Sequence, residues 1–295
     1  MTGGAYDRTY TNSGTGPTGV ADPATVSTFR MDKYLVTVGR FRQYVNYVTG
    51  STGAPPVNGS GIHTHLNGGL GLANSESVGT YETGWDATDW NTYIATGPGA
   101  ASTWNANLAC GPNYPTWTAS AASQENRPIN CVDWYESYAF CIWDGGSLPS
   151  EAEWEYAAAG GSQQREYPWG STDPGAASQY AIYGDDSEMD CYYPTGTLAP
   201  CTGVANIAPV GAAPLGAGEW GQLDLAGEVW EWNLDGYAPY VDPCADCAYL
   251  TTGASRVFRG GYFYGASALL LPPYRYDYSP TYHDPGIGFR CLRTP

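Results

Sequence analysis

The hydrophobic pattern predicts few regular elements, and the first clear one follows Thr37. After a short strand of alternating residues, Phe41, Tyr44, Val45 and Val48 recur on one face of a helical period. Thr37 precedes this run and has a side-chain oxygen suited to an N-cap. The segment therefore predicts a strand followed by a capped amphipathic helix.

Two further helices are predicted from capping boxes. Asp133 precedes an apolar run with Glu136 three residues on, and Ser150 precedes another with Glu153 three residues on. Glycines follow both runs, as expected for helix C-termini.

The rest of the chain lacks a sustained period. Residues 51–127 and 167–223 are predicted to be long ordered loops, and residues 1–26 a loop-like lead-in. Short strands are predicted late in the chain, in the segments LAGEVWEWNLD, RVFRGGYF and GIGFRCLR. Early helices, late strands and long loops favour a single α+β domain spanning residues 1–295.

The charge of the chain changes which partners are expected. Its formal net charge is −17 and its pI is near 4.3. Nucleic-acid phosphates and anionic membranes would be repelled, so we expect neither as a partner. No apolar run reaches the ~20 residues needed to span a bilayer, so no membrane span is predicted.

Eight cysteines without metal-type spacing indicate disulfides and an oxidising compartment. We therefore expect an extracellular or periplasmic protein, with any signal peptide removed. Cys244 and Cys247 have the spacing of a redox motif, but they lie in a Pro/Asp-rich segment and favour a small structural disulfide.

Several segments together resemble the formylglycine-generating enzyme family of sulfatase-modifying factors. They occur in the family's order, from about residue 27 onward: MDKYLVTVGRF, RPINCVDWYESYAFCIWDGGSLPSEAEWEYAAAGG, YPWG, APVG, LDLAGEVWEWNLD, RVFRGGYF and GIGFRCLR. The resemblance implies a variant of the C-type-lectin fold with little regular secondary structure. It also implies a disulfide between Cys141 and Cys291. With that pair assigned, we pair the others by elimination: Cys110 with Cys131, Cys191 with Cys201, and Cys244 with Cys247.

The resemblance fails at the catalytic cysteines. Family oxidases bind copper through two cysteines that match Gly265 and Leu270 here, and neither side chain can ligate a metal. Tyr262 also replaces a family serine. We expect a divergent member without copper and without cysteine-oxidising activity, a pseudoenzyme.

A metal-dependent oxidoreductase is the alternative, because the superfamily includes iron enzymes. Iron sites usually combine histidines with a carboxylate. This chain has His63, His65 and His283, of which the first two form a His-X-His pair in a Gly/Asn-rich segment. Such a pair is more often a loop element than a metal site.

A structural calcium site is also implied by the resemblance. Its side-chain positions fall on Asp224 and Glu231, and its carbonyl positions on Gly227 and Val229. Hard oxygen ligands of this kind suit Ca²⁺. Two surface carboxylates near a buried pair of tryptophans are the alternative interpretation.

The segment that takes the place of the family's active-site face is rich in tyrosine. Rigid amphipathic rings interspersed with short polar residues are typical of protein-binding surfaces. We predict a binding face, although the rings could also pack beneath long loops. The predicted ligand-binding residues are Tyr262, Tyr264, Ser267, Tyr274, Tyr276, Asp277, Tyr278, Tyr282, His283 and Asp284.

Three functions follow from these observations. The first is a secreted non-catalytic protein whose tyrosine-rich face binds a ligand, a partner protein or copies of itself. The second is the metal-dependent oxidoreductase. The third is a retroelement-diversified receptor or adhesin, because the framework also resembles lectin-fold proteins that display a variable C-terminal patch.

Overall fold

Helices and short strands alternate with long loops in the computed structural model, which describes residues 1–186, 188–251, 253 and 255–295. The helices are α1 (Val38–Val48), α2 (Ala101–Asn107), α3 (Trp134–Trp143) and α4 (Glu151–Ala159). The strands are β1 (Gly4–Thr11), β2 (Thr18–Val26), β3 (Arg30–Met31), β4 (Ala73–Asn74), β5 (Gly184–Asp185), β6 (Asp190–Cys191), β7 (Ala199–Pro200), β8 (Trp230–Gly236), β9 (Cys244–Ala245), β10 (Cys247–Ala248), β11 (Arg256–Arg259), β12 (Arg275–Tyr278), β13 (Ile287–Gly288) and β14 (Leu292–Arg293). The predicted α+β class is confirmed.

The sheet that positions the candidate site has the order β12-β11-β8-β13. Strand β11 is antiparallel to both β12 and β8, whereas β13 is parallel to β8. Every residue of β8 is buried, which explains its nearly continuous run of large side chains. β12 is the edge strand in this order, so its side chains can line an open cleft.

The three predicted helices form where the caps placed them. Thr37 accepts a hydrogen bond from the amide of Arg40, and both capping boxes are present in α3 and α4. Gly160 ends α4 in the left-handed conformation. Helix α2 lies in the region predicted to be loop; it has no side-chain cap, so its start carried no sequence signal.

The prediction of a loop-like segment over residues 1–26 was wrong. β1 and β2 form an antiparallel hairpin, and β2 also pairs with β9. Tyr6, Arg8 and Tyr10 occupy alternate positions of β1, and all three are buried. The Tyr6 hydroxyl donates a hydrogen bond to Ala152 O on α4 at 2.8 Å. The glycine, threonine and proline content hid this alternation; Pro23 lies inside β2.

The structure contains the four expected disulfides: Cys110–Cys131, Cys141–Cys291, Cys191–Cys201 and Cys244–Cys247. The bond between Cys141 and Cys291 joins α3 to the residue just before β14, and the two cysteines are 150 residues apart in the sequence. No helix of the described residues has the length and apolar content to cross a bilayer.

Candidate functional site

A cleft of about 250 Å³ lies over the β12 edge of the central sheet. Aromatic side chains make up most of its wall, and two aspartates contribute the charge. We call it the tyrosine cleft and define it by Tyr262, Tyr264, Tyr274, Tyr276, Tyr278, Tyr282, Trp230, Phe258, Asp186 and Asp284; Leu269 and Ile287 complete the lining.

The alternation of β12 places its tyrosines in the cleft. Tyr276 pairs with Phe258 of β11, and both contribute to the cleft wall. Tyr278 follows on the same face, and these two tyrosines are 51% and 45% exposed. Arg275 and Asp277 point the other way, where Arg275 binds Glu151. The edge strand thus separates displayed rings from an anchoring face.

The rings support one another. Tyr278 stacks on Tyr282 with centroids 3.8 Å apart, and Tyr262 meets Tyr264 edge-on at 4.2 Å. Trp230 lies beneath, 5.7 Å from the Tyr262 ring. Such contacts restrict the positions of the rings.

The polar groups of the cleft are either carboxylates or uncharged phenols. Tyr262 donates its hydroxyl hydrogen bond to Asp186, and Tyr282 donates to Asp284 at 3.1 Å. Burial, followed by the nearby charge of Asp284, raises the pKa of Tyr264 and of Tyr282 to about 12. Burial and the bond to Asp186 also raise the pKa of Tyr262. The phenols are therefore neutral donors at physiological pH, and no basic residue is among the described residues that line the cleft.

Three of the predicted ligand-binding residues lie outside the cleft. Ser267 is exposed at the start of a short 3₁₀ helix, Ser267–Leu270. Asp277 accepts a hydrogen bond from Ser255 on the other face of β12. The Nε2 atom of His283 lies 3.2 Å from Glu136 Oε2, on α3.

Sequence reasoning missed the floor of the cleft and one carboxylate. Trp230 and Phe258 belong to buried strands, and their cleft-facing edges had no local signal. Asp186 lies 76 residues before its partner Tyr262 in an irregular segment. Only the tertiary fold brings it to the site.

The two positions that match the family's copper cysteines are occupied differently. A Cβ atom on Gly265 would lie 2.6 Å from Cδ1 of Tyr262, so the tyrosine ring fills the space a side chain would need. Leu270 is 1% exposed and packs in a cluster with Ala181, Tyr183 and Ala226.

The predicted calcium carboxylates have protein partners. Asp224 accepts a hydrogen bond from Gly211 N at 2.7 Å, and burial raises the pKa of Asp224 to about 6. Glu231 accepts from Arg290 Nε at 2.6 Å and Nη2 at 2.8 Å, and from Trp154 Nε1 at 2.9 Å. Arg290 thus neutralises Glu231.

These residues fit a calcium ion in part. A buried, desolvated Asp224 suits a cation, and Gly227 and Val229 lie in the segment between Asp224 and β8. Glu231, in contrast, would have to share its carboxylate with Arg290. Within the described residues no group of three or more His, Cys, Asp or Glu is placed to hold a metal. Calcium therefore stays a prediction.

The histidine pair is divided between two environments. Buried His63 contacts Glu82 through Nδ1 at 3.0 Å, and its Nε2 lies 3.2 Å from Ser147 Oγ and 3.4 Å from Glu153 Oε2. The two carboxylates outweigh burial and raise the pKa of His63. The His65 ring is 6.3 Å away, and burial lowers its pKa.

Comparison with known proteins identifies the family. The profile of the sulfatase-modifying factor enzyme 1-like domain matches residues 1–295. The chain belongs to this formylglycine-generating enzyme family. The formylglycine-generating enzyme of Mus musculus is 29% identical over 278 residues, covering 90% of this chain and 66% of the mouse protein. Hercynine oxygenase of Mycolicibacterium smegmatis is 32% identical over 162 residues, covering 51% of this chain and 33% of that protein.

A solved structure supports the fold of this family member. PvdO from Pseudomonas aeruginosa aligns with 100% of this chain and 93% of its own, with a TM-score of 0.60 and 18% sequence identity. The formylglycine-generating-enzyme fold that the resemblance implied is therefore confirmed. The matched region spans only part of the two curated relatives, a third of the oxygenase and 66% of the mouse enzyme.

Proposed function

We propose that this family member is a non-catalytic binding protein whose tyrosine cleft receives a cationic group of its partner. One observation carries the proposal: the cleft combines six tyrosines and two further aromatic residues with Asp186 and Asp284, without a basic residue among its described lining. Aromatic faces attract cations, most strongly when water is excluded.

The charge of the cleft and of the chain act in the same direction. An ammonium or guanidinium group would meet ring faces and two carboxylates, and a net charge of −17 attracts cations over longer distances. An anionic ligand would be disfavoured by both. The occupant is a lysine or arginine side chain of a protein partner, or of a second copy of this chain, or a small quaternary ammonium compound.

The absence of cysteine at positions 265 and 270 supports the non-catalytic part of the proposal. Both positions matching the family's copper ligands lack a thiol, and Tyr262 closes the space beside one of them. The protein acts in an extracellular or periplasmic compartment, in keeping with its four disulfides. Calcium at Asp224 stabilises the loop that leads into β8.

A matched pair of small probes tests the cation. Choline and its neutral isostere 3,3-dimethylbutan-1-ol have the same shape, so a titration followed by NMR reports the effect of charge alone. We expect choline to bind roughly 10- to 30-fold more tightly, since a desolvated cation–π contact contributes ~2 kcal/mol. Equal affinities, or no binding of choline, would show that the cleft does not select cations.

Variants locate the binding. Replacement of Tyr276 and Tyr278 with serine should abolish the choline shifts, whereas Tyr34→Ser, at an exposed tyrosine outside the cleft, should leave them intact. A peptide and glycan array then tests for the natural partner. Copper- or iron-dependent redox activity of the native protein would favour the oxidoreductase instead.

A further inference from the structure

A second cavity, of about 380 Å³, lies on the same side of the central sheet and shares no lining residue with the tyrosine cleft. Its volume is within the range of ~300–1,000 Å³ usual for small-molecule sites. Arg256 and Trp134 lie deep in it, and exposed Thr80 and Thr83 lie at its rim. We call it the Arg256 cavity; Trp90, Tyr138, Leu234 and Leu250 also line it.

Arg256 differs from the other buried arginines. Arg8, Arg259 and Arg290 each form an ion pair with a carboxylate. Arg256 is 4% exposed, and no carboxylate of the described residues lies within ion-pair distance of it. The charge of buried Asp235 acts on Arg256 from beyond ion-pair distance, and the Asp235 carboxylate accepts hydrogen bonds from the amides of Glu151 and Tyr249. A buried guanidinium without a direct ion pair is costly.

The Arg256 guanidinium is held in place, but not all of its hydrogen-bond donors have an acceptor. Its Nη1 donates to Leu234 O at 3.0 Å, and its carbon lies 4.0 Å from the centroid of the Trp134 ring. Its Nε has no hydrogen-bond acceptor among the described residues. Burial lowers the pKa of Arg256 to about 10, which leaves it cationic at physiological pH. Donors remain for an anionic acceptor.

The acidic residue that lines the cavity, Glu82, does not pair with Arg256. Glu82 lines the cavity, but its carboxylate accepts hydrogen bonds from the amides of His63 and Leu72 and contacts the His63 ring. The Glu82 carboxylate is therefore engaged by these amides and by His63, which also contacts Glu153. Arg256 is the one basic residue among the described residues that line the cavity.

We propose that the Arg256 cavity binds a small carboxylic acid with a planar apolar body. The carboxylate sits against the guanidinium, a charged donor group that favours carboxylate acceptors. The body lies against Trp90 and Trp134, whose rings meet edge-on with centroids 5.4 Å apart. This site is independent of the proposed cation-binding cleft.

Phenylacetate and its neutral analogue phenylacetamide test the proposal on the intact protein. Titrations by ligand-detected NMR should give at least tenfold tighter binding of phenylacetate. Arg256→Met should remove that preference. Equal affinity for acid and amide, or no binding of phenylacetate at millimolar concentration, would overturn the proposal. Equal competition by inorganic phosphate would overturn the assignment to a carboxylate.

A rim variant keeps the test decisive if Arg256→Met does not fold. Thr83→Trp should cover the entrance and reduce phenylacetate affinity at least tenfold, while Thr88→Trp, at an exposed threonine that does not line the cavity, should leave it unchanged. An unchanged affinity in Thr83→Trp would place the ligand elsewhere. Serine at Tyr276 and Tyr278 should not alter phenylacetate binding, which separates this cavity from the tyrosine cleft.

Discussion

Arg275 and Glu151 form a two-point ion pair behind the tyrosine cleft, with Nε–Oε1 and Nη2–Oε2 distances of 2.7 Å each. Glu151 also accepts hydrogen bonds from Arg259 at 2.8 and 3.0 Å. One carboxylate at the start of α4 therefore anchors both β11 and β12. The ion pair holds Arg275 toward α4, on the face of β12 opposite Tyr276 and Tyr278.

Loss of the Glu151 carboxylate should lower the free energy of unfolding. In Glu151→Gln, Arg275 loses its carboxylate partner and buried Arg259 keeps only Glu155. We therefore expect the free energy of unfolding to fall by about 3–5 kcal/mol. Urea denaturation measures it. As a control, Glu219→Gln removes a more exposed partner of Arg165 and should cost less than about 1 kcal/mol. Similar losses in the two variants would contradict the anchoring role.

The displayed tyrosines should contribute little to stability. Tyr276 and Tyr278 are about half exposed, so the double serine variant should change the free energy of unfolding by about 1 kcal/mol or less. Phe258→Ala, at the buried ring beneath them, should cost about 3–5 kcal/mol. Thermal and urea unfolding measure both. A double serine variant as unstable as Phe258→Ala would mean that these rings belong to the core.

Tyr262 and Gly265 should be energetically coupled. A cysteine at position 265 would press on the Tyr262 ring, so Gly265→Cys should cost about 1–3 kcal/mol as an overpacked substitution. In the Tyr262→Ser background most of this cost should disappear. A double-mutant cycle by urea denaturation measures the coupling energy. Additive effects would show that the ring does not occupy this space.

Calcium should act through Asp224. The pKa of Asp224 is raised from 3.8 to about 6 in the folded state, so without calcium this group makes stability fall as the pH rises from about 4 through 6. Calcium at 100 times its Kd should add about 2.7 kcal/mol and remove that slope. In Asp224→Ala both effects should vanish, as measured by thermal unfolding with calcium or with chelator. An equal calcium response in the variant would refute the assignment.

His283 should make stability fall at alkaline pH. Burial opposes its protonation, but the hydrogen bond to Glu136, that residue's charge and the charge of Asp133 raise the pKa of His283 from 6.5 to about 9. Its contribution is fully present below pH 6.5 and is lost as the pH rises through 9. His283→Gln should flatten this part of the stability curve by on the order of 1 kcal/mol. An unchanged stability curve would show that His283 and Glu136 do not form a stabilising imidazolium–carboxylate pair.

The sequence predicted what is encoded locally. Caps at Thr37, Asp133 and Ser150 each lie within three residues of the groups they bond, so the helices could be placed from short windows. The hairpin of residues 4–26 could not, because its inward tyrosines are recognisable only once α4 is present to cover them. Tertiary contacts override weak local propensity in such segments.

The cleft was predictable in composition but not in geometry. The six tyrosines near the C-terminus can be read from the sequence, but the alternation that turns Asp277 away from Tyr276 and Tyr278 requires a strand. β12 forms in the tyrosine-rich stretch by pairing along its length with β11. Asp186 and Trp230 reach the cleft through contacts distant in sequence.

The two faces of β12 also make the cleft separable from the scaffold. Positions 276 and 278 point outward, while Arg275 is locked behind them to Glu151. A combinatorial library restricted to these outward positions and to 282 would vary the exposed side chains of the cleft, while every variant keeps the ion pair between Arg275 and Glu151. The outer face of this edge strand can therefore be changed without redesigning the interior of the protein.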